Sequence, residues 1–154
     1  MSITWGTITW YLFHTIAEKI KEESFPSKKK ELLHLINIIC NSLPCPECQE
    51  HAKDTLKYMK PQEIHTKEDF QKMLWSFHNF VNKRRGVKQF TLQECNDKYK
   101  NGNLQVILQN FYMLWSKNYK VMKLLGDAFM RNRTTEYVKK WMDQTKDHFD
   151  VSKI

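Results

Sequence analysis

Apolar residues recur along this chain at intervals of three and four, the spacing that places them on one face of an α-helix. No segment alternates apolar and polar residues as a half-buried strand does. A first helix is predicted from its N-cap Thr4 to Lys21, and a second from about Ser27 to Ser42. The pattern therefore favours an all-α fold.

The next two helices carry clear start signals. The third begins at Cys45-Pro46-Glu47-Cys48 and continues to about Met59. The fourth begins at Thr66-Lys67-Glu68-Asp69, which has the form of a capping box. It is predicted to end near Arg85, with Gly86 as its C-cap.

Beyond a short helical turn at about 91–99 and a break at 100–103, two apolar stripes predict a sixth and a seventh helix. The stripes consist of Leu104, Ile107, Leu108, Phe111, Leu114, Trp115, Val121 and Leu125, and then of Tyr137, Val138, Trp141 and Met142. We expect a four-helix bundle with a short fifth helix at 1–102 and a helical extension at 103–154. The aromatic residues of the extension should pack on the bundle or across a dimer interface rather than dock a partner; they include Phe111, Trp115, Tyr119 and Trp141.

Composition narrows the class of protein. The 154 residues suit one domain with a buried core, and only 4 glycines and 4 prolines suit long helices. The formal net charge of +8 will attract anions, whether nucleic acid, acidic protein or cofactor phosphates. We expect no membrane span, since no run of about 18 apolar residues occurs, and no signal peptide. The basic residues at 131–133 and 139–140 are expected to face solvent.

Cys45 and Cys48 form the candidate reactive site. Pro46 suits the first helical position, which places Cys45 near the N-cap and Cys48 one turn further on the same face. The two sulfurs can then close a disulfide or bind a metal. Unpaired N–H groups and the positive end of the helix dipole favour a thiolate there, so the position suits redox chemistry. Four cysteines without an export signal indicate a reducing compartment.

Two other functions are open at this point. A zinc module would use Cys45, Cys48, His51 and either His65 or His78, although a second half-site with compact ligand spacing is missing. A basic helical nucleic-acid binder would use the positive charge, but the chain carries no recognised nucleic-acid motif. We therefore expect no metal site and no specific nucleic-acid partner.

A second group of candidate residues lies on the first and fourth helices. Trp10 and His14 are four residues apart, and His78, Asn79 and Asn82 project from adjacent faces of an otherwise apolar helix. These polar groups need hydrogen-bond partners, which either a network between helices or a heterocyclic ligand would supply. A basic cluster follows them at Lys83, Arg84, Arg85 and Lys88.

Taken in order, these motifs resemble the FAD-linked sulfhydryl oxidases of the Erv/ALR type. The resemblance spans about residues 3–100 and is closest to the compact forms of large DNA viruses. The motifs that carry it are Trp5-Gly6, Thr9-Trp10, His14-Thr15, Cys45-Pro46-Glu47-Cys48 and Phe77-His78-Asn79-Phe80-Val81-Asn82-Lys83. It implies a four-helix bundle with FAD at one end, usually as a homodimer, in the host cytoplasm or the virion.

The resemblance also implies roles for individual residues. Cys48 is the thiol next to the flavin, and Cys45 is the outer thiol that exchanges with a protein dithiol or a small redox carrier before dioxygen accepts the electrons as hydrogen peroxide. The implied cofactor-binding residues are Gly6, Thr9, Trp10, His14, Cys48, His78, Asn79, Asn82, Lys83, Lys88 and Tyr99. Lys83 and Lys88 would lie near the ribose and pyrophosphate, and Tyr99 beside the adenine.

The chain also departs from the family pattern. Thr7 stands where cellular members often have an arginine, and Arg85 and Val87 replace a common leucine and lysine. Many members carry a second cysteine pair on a flexible arm, whereas the remaining cysteines here are Cys40 and Cys95. We therefore predict no internal electron shuttle, a packing role for Cys40, and either packing or a free thiol for Cys95.

Overall fold

The computed structural model describes residues 4–116 and 125–150, with side chains for all of these except 125–127. This part of the chain contains seven α-helices and no strand, which confirms the all-α prediction. The helices are α1 (Trp5–Lys19), α2 (Phe25–Cys40), α3 (Pro46–Tyr58), α4 (Lys67–Arg84), α5 (Leu92–Tyr99), α6 (Leu104–Trp115) and α7 (Leu125–Thr145). Short 3-10 turns occur at Pro61–Glu63 and Lys146–His148.

The helix ends follow the local capping chemistry. Thr4 is the N-cap of α1, and Thr66 opens α4 in a capping box with Asp69, as predicted. Gly86 follows the C-cap of α4 at a φ of 67°, in the left-handed region that glycine adopts without strain. The second helix begins two residues earlier than predicted because Pro26 lies within its first turn, where a missing N–H has no cost.

The predicted sixth helix is shorter than its apolar stripe. Helix α6 ends at Trp115, and Leu125 belongs to α7 rather than to α6. Tyr119 and Val121 lie outside the described residues. The apolar spacing alone did not reveal this boundary, since the apolar residues continue in the same register past it.

Helices α6 and α7 join the same hydrophobic core as α1–α4. Phe111 and Trp115 of α6 are fully buried, and the Trp115 indole N–H donates to Thr9 Oγ1 of α1 at 3.1 Å. On the other side, the hydroxyls of Ser42 and Thr134 are hydrogen-bonded at 2.8 Å and tie α7 to the end of α2. The division of the chain at residue 102 stays a prediction.

The prediction that the basic residues at 131–133 face solvent is wrong for Arg131. Arg131 is buried, and its Nε–H donates to the Trp115 carbonyl at 3.3 Å, whereas Arg133 is exposed as expected. The carbonyls of the last turn of α6 have no partner within the helix, so a buried guanidinium satisfies one of them.

Packing around α1 positions the reactive end of the molecule. Helix α1 contacts α4, α5 and α6, and α3 contacts both α2 and α4. The start of α3 therefore lies beside the first turns of α1 and the last turns of α4. No helix in the described part of the chain is long and apolar enough to span a membrane.

Candidate functional site

A disulfide joins Cys45 and Cys48 at the start of α3. Pro46 occupies the first turn, and Cys45 is the N-cap, whose Sγ accepts a hydrogen bond from the Cys48 N–H at 3.2 Å. The two Cα atoms are 5.1 Å apart, within the usual range for a disulfide. Both cysteines are half-buried. After reduction, a thiolate at Cys45 would keep this N–H donor and the positive end of the helix dipole.

A cavity of about 410 Å³ lies against this disulfide, a size typical of small-molecule sites. Its wall includes Cys48 but not Cys45, so the two sulfurs face different surroundings. The other lining residues come from the start of α1, the end of α2, α3 and the end of α4: Thr4, Trp5, Gly6, Thr9, Trp10, Phe13, Cys40, Leu43, His51, Ala52, Phe77, Val81, Arg84 and Arg85.

The lining suits a planar group with negative charge. The rings of Trp10 and Phe77 meet edge to face, with centroids 5.1 Å apart, and form an aromatic wall. Arg84 and Arg85 are exposed and supply cations at the edge of the cavity. Aromatic walls bind a flat ring system, and guanidinium groups bind phosphate oxygens.

The second cysteine in this wall, Cys40, is chemically inert. Cys40 is 2% exposed, and burial raises the pKa of its thiol to about 12. The thiol therefore stays protonated, and the thiolate is the nucleophilic form. This agrees with the packing role predicted for Cys40.

Four stacked rings lead from the cavity wall towards α5. Trp10 lies parallel to His78 with ring centroids 4.0 Å apart, and His14 lies nearly parallel to Tyr99 at 4.3 Å. His14 and His78 are themselves 5.1 Å apart. The stack brings together four predicted cofactor residues from α1, α4 and α5, although only Trp10 lines the cavity.

The two histidines of this stack are hydrogen-bonded and neutral. His14 Nε2 and His78 Nδ1 are 2.9 Å apart, and Cys95 Sγ lies 3.6 Å from His14 Nδ1. Burial, His78 and Lys98 hold the pKa of His14 well below its usual value, and burial with Lys98 lowers the pKa of His78 to about 4. Both rings are therefore uncharged at neutral pH.

The remaining predicted residues of α4 and its following loop lie apart from the cavity wall. Asn79 uses its side-chain amide on the Phe90 backbone, donating to the carbonyl at 2.7 Å and accepting from the N–H at 3.0 Å. Asn82 is half-buried, and Lys83 and Lys88 are exposed. Asn79 thus fits the alternative of a network between polar groups, and it anchors the chain that enters α5.

The structure places Gly6, Thr9, Trp10 and Cys48 in the wall of the cavity, and their role in binding a cofactor stays a prediction. Sequence reasoning did not select Phe13, Leu43 or Ala52, whose apolar spacing marks them only as core. It also missed the contact between Cys95 and His14, because these residues are 81 positions apart. Their spacing along the chain gives no signal of the contact.

The zinc alternative is not favoured. Cys45 and Cys48 are bonded to each other. Within the described ranges 4–116 and 125–150, no group of three or more His, Cys, Asp or Glu side chains is arranged to hold a metal ion.

Comparison with known proteins gives a consistent family assignment. The family model described as "Erv1 / Alr family" matches residues 7–100. The FAD-linked sulfhydryl oxidase ERV1 of Oryza sativa subsp. japonica is 34% identical over 94 residues, which cover 61% of this chain and 48% of that protein. The FAD-linked sulfhydryl oxidase of African swine fever virus (isolate Pig/Kenya/KEN-50/1950) is 32% identical over 103 residues, covering 67% and 86%.

The matched region of this chain spans about half the length of the plant relatives and most of the viral one. No solved structure gives a significant match. The matched range contains the disulfide, the cavity residues from Thr9 to Arg85 and the ring stack. The chain belongs to the Erv1/Alr family.

Proposed function

We propose that this protein is an FAD-dependent thiol oxidase that forms disulfides in protein substrates. The observation that carries the proposal is the position of the disulfide: Cys48 lies in the wall of an aromatic cavity, and Cys45 lies outside it at the helix N-terminus. A disulfide with one sulfur on each side of this boundary can take electrons from a substrate and pass them inward. The names of the relatives support the same chemistry.

The exchange step uses the asymmetry of the two cysteines. A substrate thiolate attacks Cys45 Sγ, the Cys45–Cys48 bond breaks, and the electron pair leaves on Cys48 as a thiolate. A second substrate thiolate then attacks the substrate sulfur of this mixed disulfide. The substrate leaves with a disulfide, and Cys45 and Cys48 hold the two electrons as a dithiol. Cys45 is the better target because it lies outside the cavity wall.

The residues present fit a flavin cofactor. Trp10 and Phe77 offer flat apolar walls, Arg84 and Arg85 offer cations for phosphates, and Cys48 lies in the same wall. A bound FAD would supply a two-electron acceptor for the Cys45–Cys48 dithiol and a route for those electrons to dioxygen, which becomes hydrogen peroxide. Re-forming the disulfide requires Cys48 to face that acceptor, which the position of Cys48 in the cavity wall supports.

Cysteine variants of the purified protein test this assignment. The wild-type protein should show visible flavin absorbance that bleaches when dithiothreitol is added without oxygen. Cys48→Ala should keep the flavin but lose bleaching, because no thiol then faces the cofactor. Cys45→Ala should also keep the flavin but lose turnover, because no disulfide can form. Oxygen consumption that survives either substitution at the wild-type rate would contradict the assignment.

The physiological partner is part of the proposal at the level of chemistry. We propose a protein dithiol or a small dithiol carrier protein as the electron donor, since Cys45 is half-buried but lies outside the cavity. The homodimer implied by the family resemblance stays a prediction that sedimentation equilibrium would measure. So does the location in a host cytoplasm or virion.

A further inference from the structure

Side chains from three helices form one buried series of hydrogen bonds. Cys95 of α5 contacts His14 of α1 through Sγ and Nδ1 at 3.6 Å, and His14 contacts His78 of α4 through Nε2 and Nδ1 at 2.9 Å. Cys95 is 3% exposed, His14 4% and His78 9%. The family resemblance assigned no role to Cys95.

The ring protons of His14 and His78 can be arranged in two ways. Each neutral imidazole carries one ring proton, so the two histidines share a single N–H in their mutual hydrogen bond. In one arrangement, His14 holds its proton on Nε2 and donates to His78 Nδ1, which leaves the His78 proton on Nε2. In the other, His78 donates from Nδ1, and His14 carries its proton on Nδ1 facing Cys95.

The chemistry of the thiol selects the first arrangement. A thiol is a weak donor and a weak acceptor, whereas an imidazole nitrogen without a proton is a strong acceptor. The Cys95 thiol therefore donates to His14 Nδ1, the stronger acceptor. This hydrogen bond fixes the His14 ring proton on Nε2. Burial and Glu18 raise the pKa of Cys95 to about 12, so the thiol proton is always present.

The His78 end of this series of hydrogen bonds is accessible to a ligand. His78 Nε2 has no hydrogen-bond partner among the described residues. It is not fully enclosed either, because Thr15 Oγ1 is the single fully buried side-chain nitrogen or oxygen of the described part that lacks a partner. His78 also stacks on Trp10, which lines the cavity. A proton on Nε2 would therefore be a hydrogen-bond donor available to a bound ring.

We propose that Cys95 is a positioning residue that donates to His14, sets the direction of the His14–His78 hydrogen bond, and so keeps the His78 proton on Nε2 as a donor to an acceptor atom of the bound cofactor. The proton arrangement follows from the geometry of the three residues. Only its use towards the cofactor rests on the proposed function.

Nitrogen-15 NMR of the purified protein tests the proton arrangement directly. With ¹⁵N-labelled histidine, protonated and unprotonated ring nitrogens give well-separated signals, and single His→Gln variants assign them. In the wild-type protein, both His14 and His78 should carry the proton on Nε2. A proton on Nδ1 of either ring in the wild-type protein would overturn the proposal.

Substitutions of Cys95 separate positioning from packing. Cys95→Val keeps an apolar side chain, one methyl group larger, and removes the donor, so the His14 and His78 signals should shift towards mixed tautomers. Cys95→Ser keeps a donor and should retain the wild-type pattern. Cys40→Val, at a buried cysteine with no hydrogen bond to His14 or His78 among the described residues, should leave both histidine signals in place. Unchanged tautomers in Cys95→Val would show that Cys95 only packs.

Titration with FAD measures the consequence for the cofactor. Losing a neutral hydrogen bond should weaken FAD binding roughly 5- to 10-fold in Cys95→Val and leave Cys95→Ser near the wild type. Equal affinities of the wild type and Cys95→Val would contradict the use of His78 as a donor. If the protein binds no FAD, the proposed function fails, but the tautomers measured by NMR still decide the proton arrangement.

Discussion

Cys45 and Cys48 are only three residues apart, yet the fold gives them different chemistry. The N-cap position of Cys45 keeps its sulfur beside a backbone N–H donor, outside the cavity wall. One turn further along α3, Cys48 lines the same cavity as Trp10 and Phe77. A helix turn advances the backbone by about 5.4 Å. The two residues between the cysteines therefore leave Cys45 at the helix start, outside the cavity, and place Cys48 one turn further on, in the cavity wall.

The neutral histidine pair makes the stability of the protein depend on pH. His78 has a pKa near 4 in the folded state, and burial holds the pKa of His14 below its usual value of 6.5 as well. Below pH 6.5 the unfolded chain binds protons that the folded protein does not bind, so the free energy of unfolding must decrease as the pH is lowered. Between pH 7 and 5 the loss should be about 2 kcal/mol from His78, and His14 adds to it.

Urea unfolding at a series of pH values measures this loss. In the window between pH 7 and 5 the hydrogen-bonded carboxylates Asp69, Glu94 and Asp97 stay ionised, because their pKa values are lowered. Burial raises the pKa of Glu18, so its protonation opposes the loss from the histidines. His78→Gln should flatten the curve in this window. Stability that is constant from pH 7 to 5 would show that the pair is protonated in the folded protein.

At the scale of elements, α6 supports the part of α1 that lines the cavity. The Trp115 N–H donates to Thr9 Oγ1, and this hydroxyl in turn donates to the Trp5 carbonyl at 2.6 Å. Trp5 and Thr9 both line the cavity. A residue outside the matched family range therefore holds two residues of the site.

Replacing Trp115 with phenylalanine should weaken this support. Trp115→Phe keeps an aromatic ring in the core but removes the buried N–H donor, so the free energy of unfolding should fall by about 1–2 kcal/mol in urea. Trp141→Phe is the matched control, because its N–H donates to Glu31, a half-buried carboxylate that also binds Lys28. Trp141→Phe should lower the free energy of unfolding less than Trp115→Phe does. An equal decrease in both variants would mean that the hydrogen bond to Thr9 stabilises the protein no more than the one to Glu31.

Helix starts were predictable because they depend on neighbouring residues. Thr4, Cys45 and Thr66 each cap a helix through a group three residues further on, which the local sequence contains. Arg131 and Cys95 were not predictable, since each side chain meets a partner on another helix. The cysteine pair and the aromatic residues of the site could thus be found from sequence, but the buried hydrogen-bonded chain behind them could not.

At the scale of the whole molecule, the family range and the folding unit differ. The matched range ends at residue 100, but the core continues into α6 and α7. The buried side chains of α6 are Leu104, Ile107, Leu108, Phe111, Leu114 and Trp115. Each of these side chains contributes roughly 1.5–3 kcal/mol when buried, and a chain that ends before α6 loses all of these contributions.

A chain ended after Gly102 should therefore not fold cooperatively, although it contains every motif of the family. Removing α6 would expose the face of α1 that it covers, where Thr9 contacts Trp115 in the intact protein. Circular dichroism should show partial helicity without a sharp thermal transition, and the intact chain is the reference. Cooperative unfolding of the shortened chain with a midpoint near that of the intact protein would instead make 1–102 an independent domain. The 103–154 segment would then be an accessory to the family fold rather than part of its core.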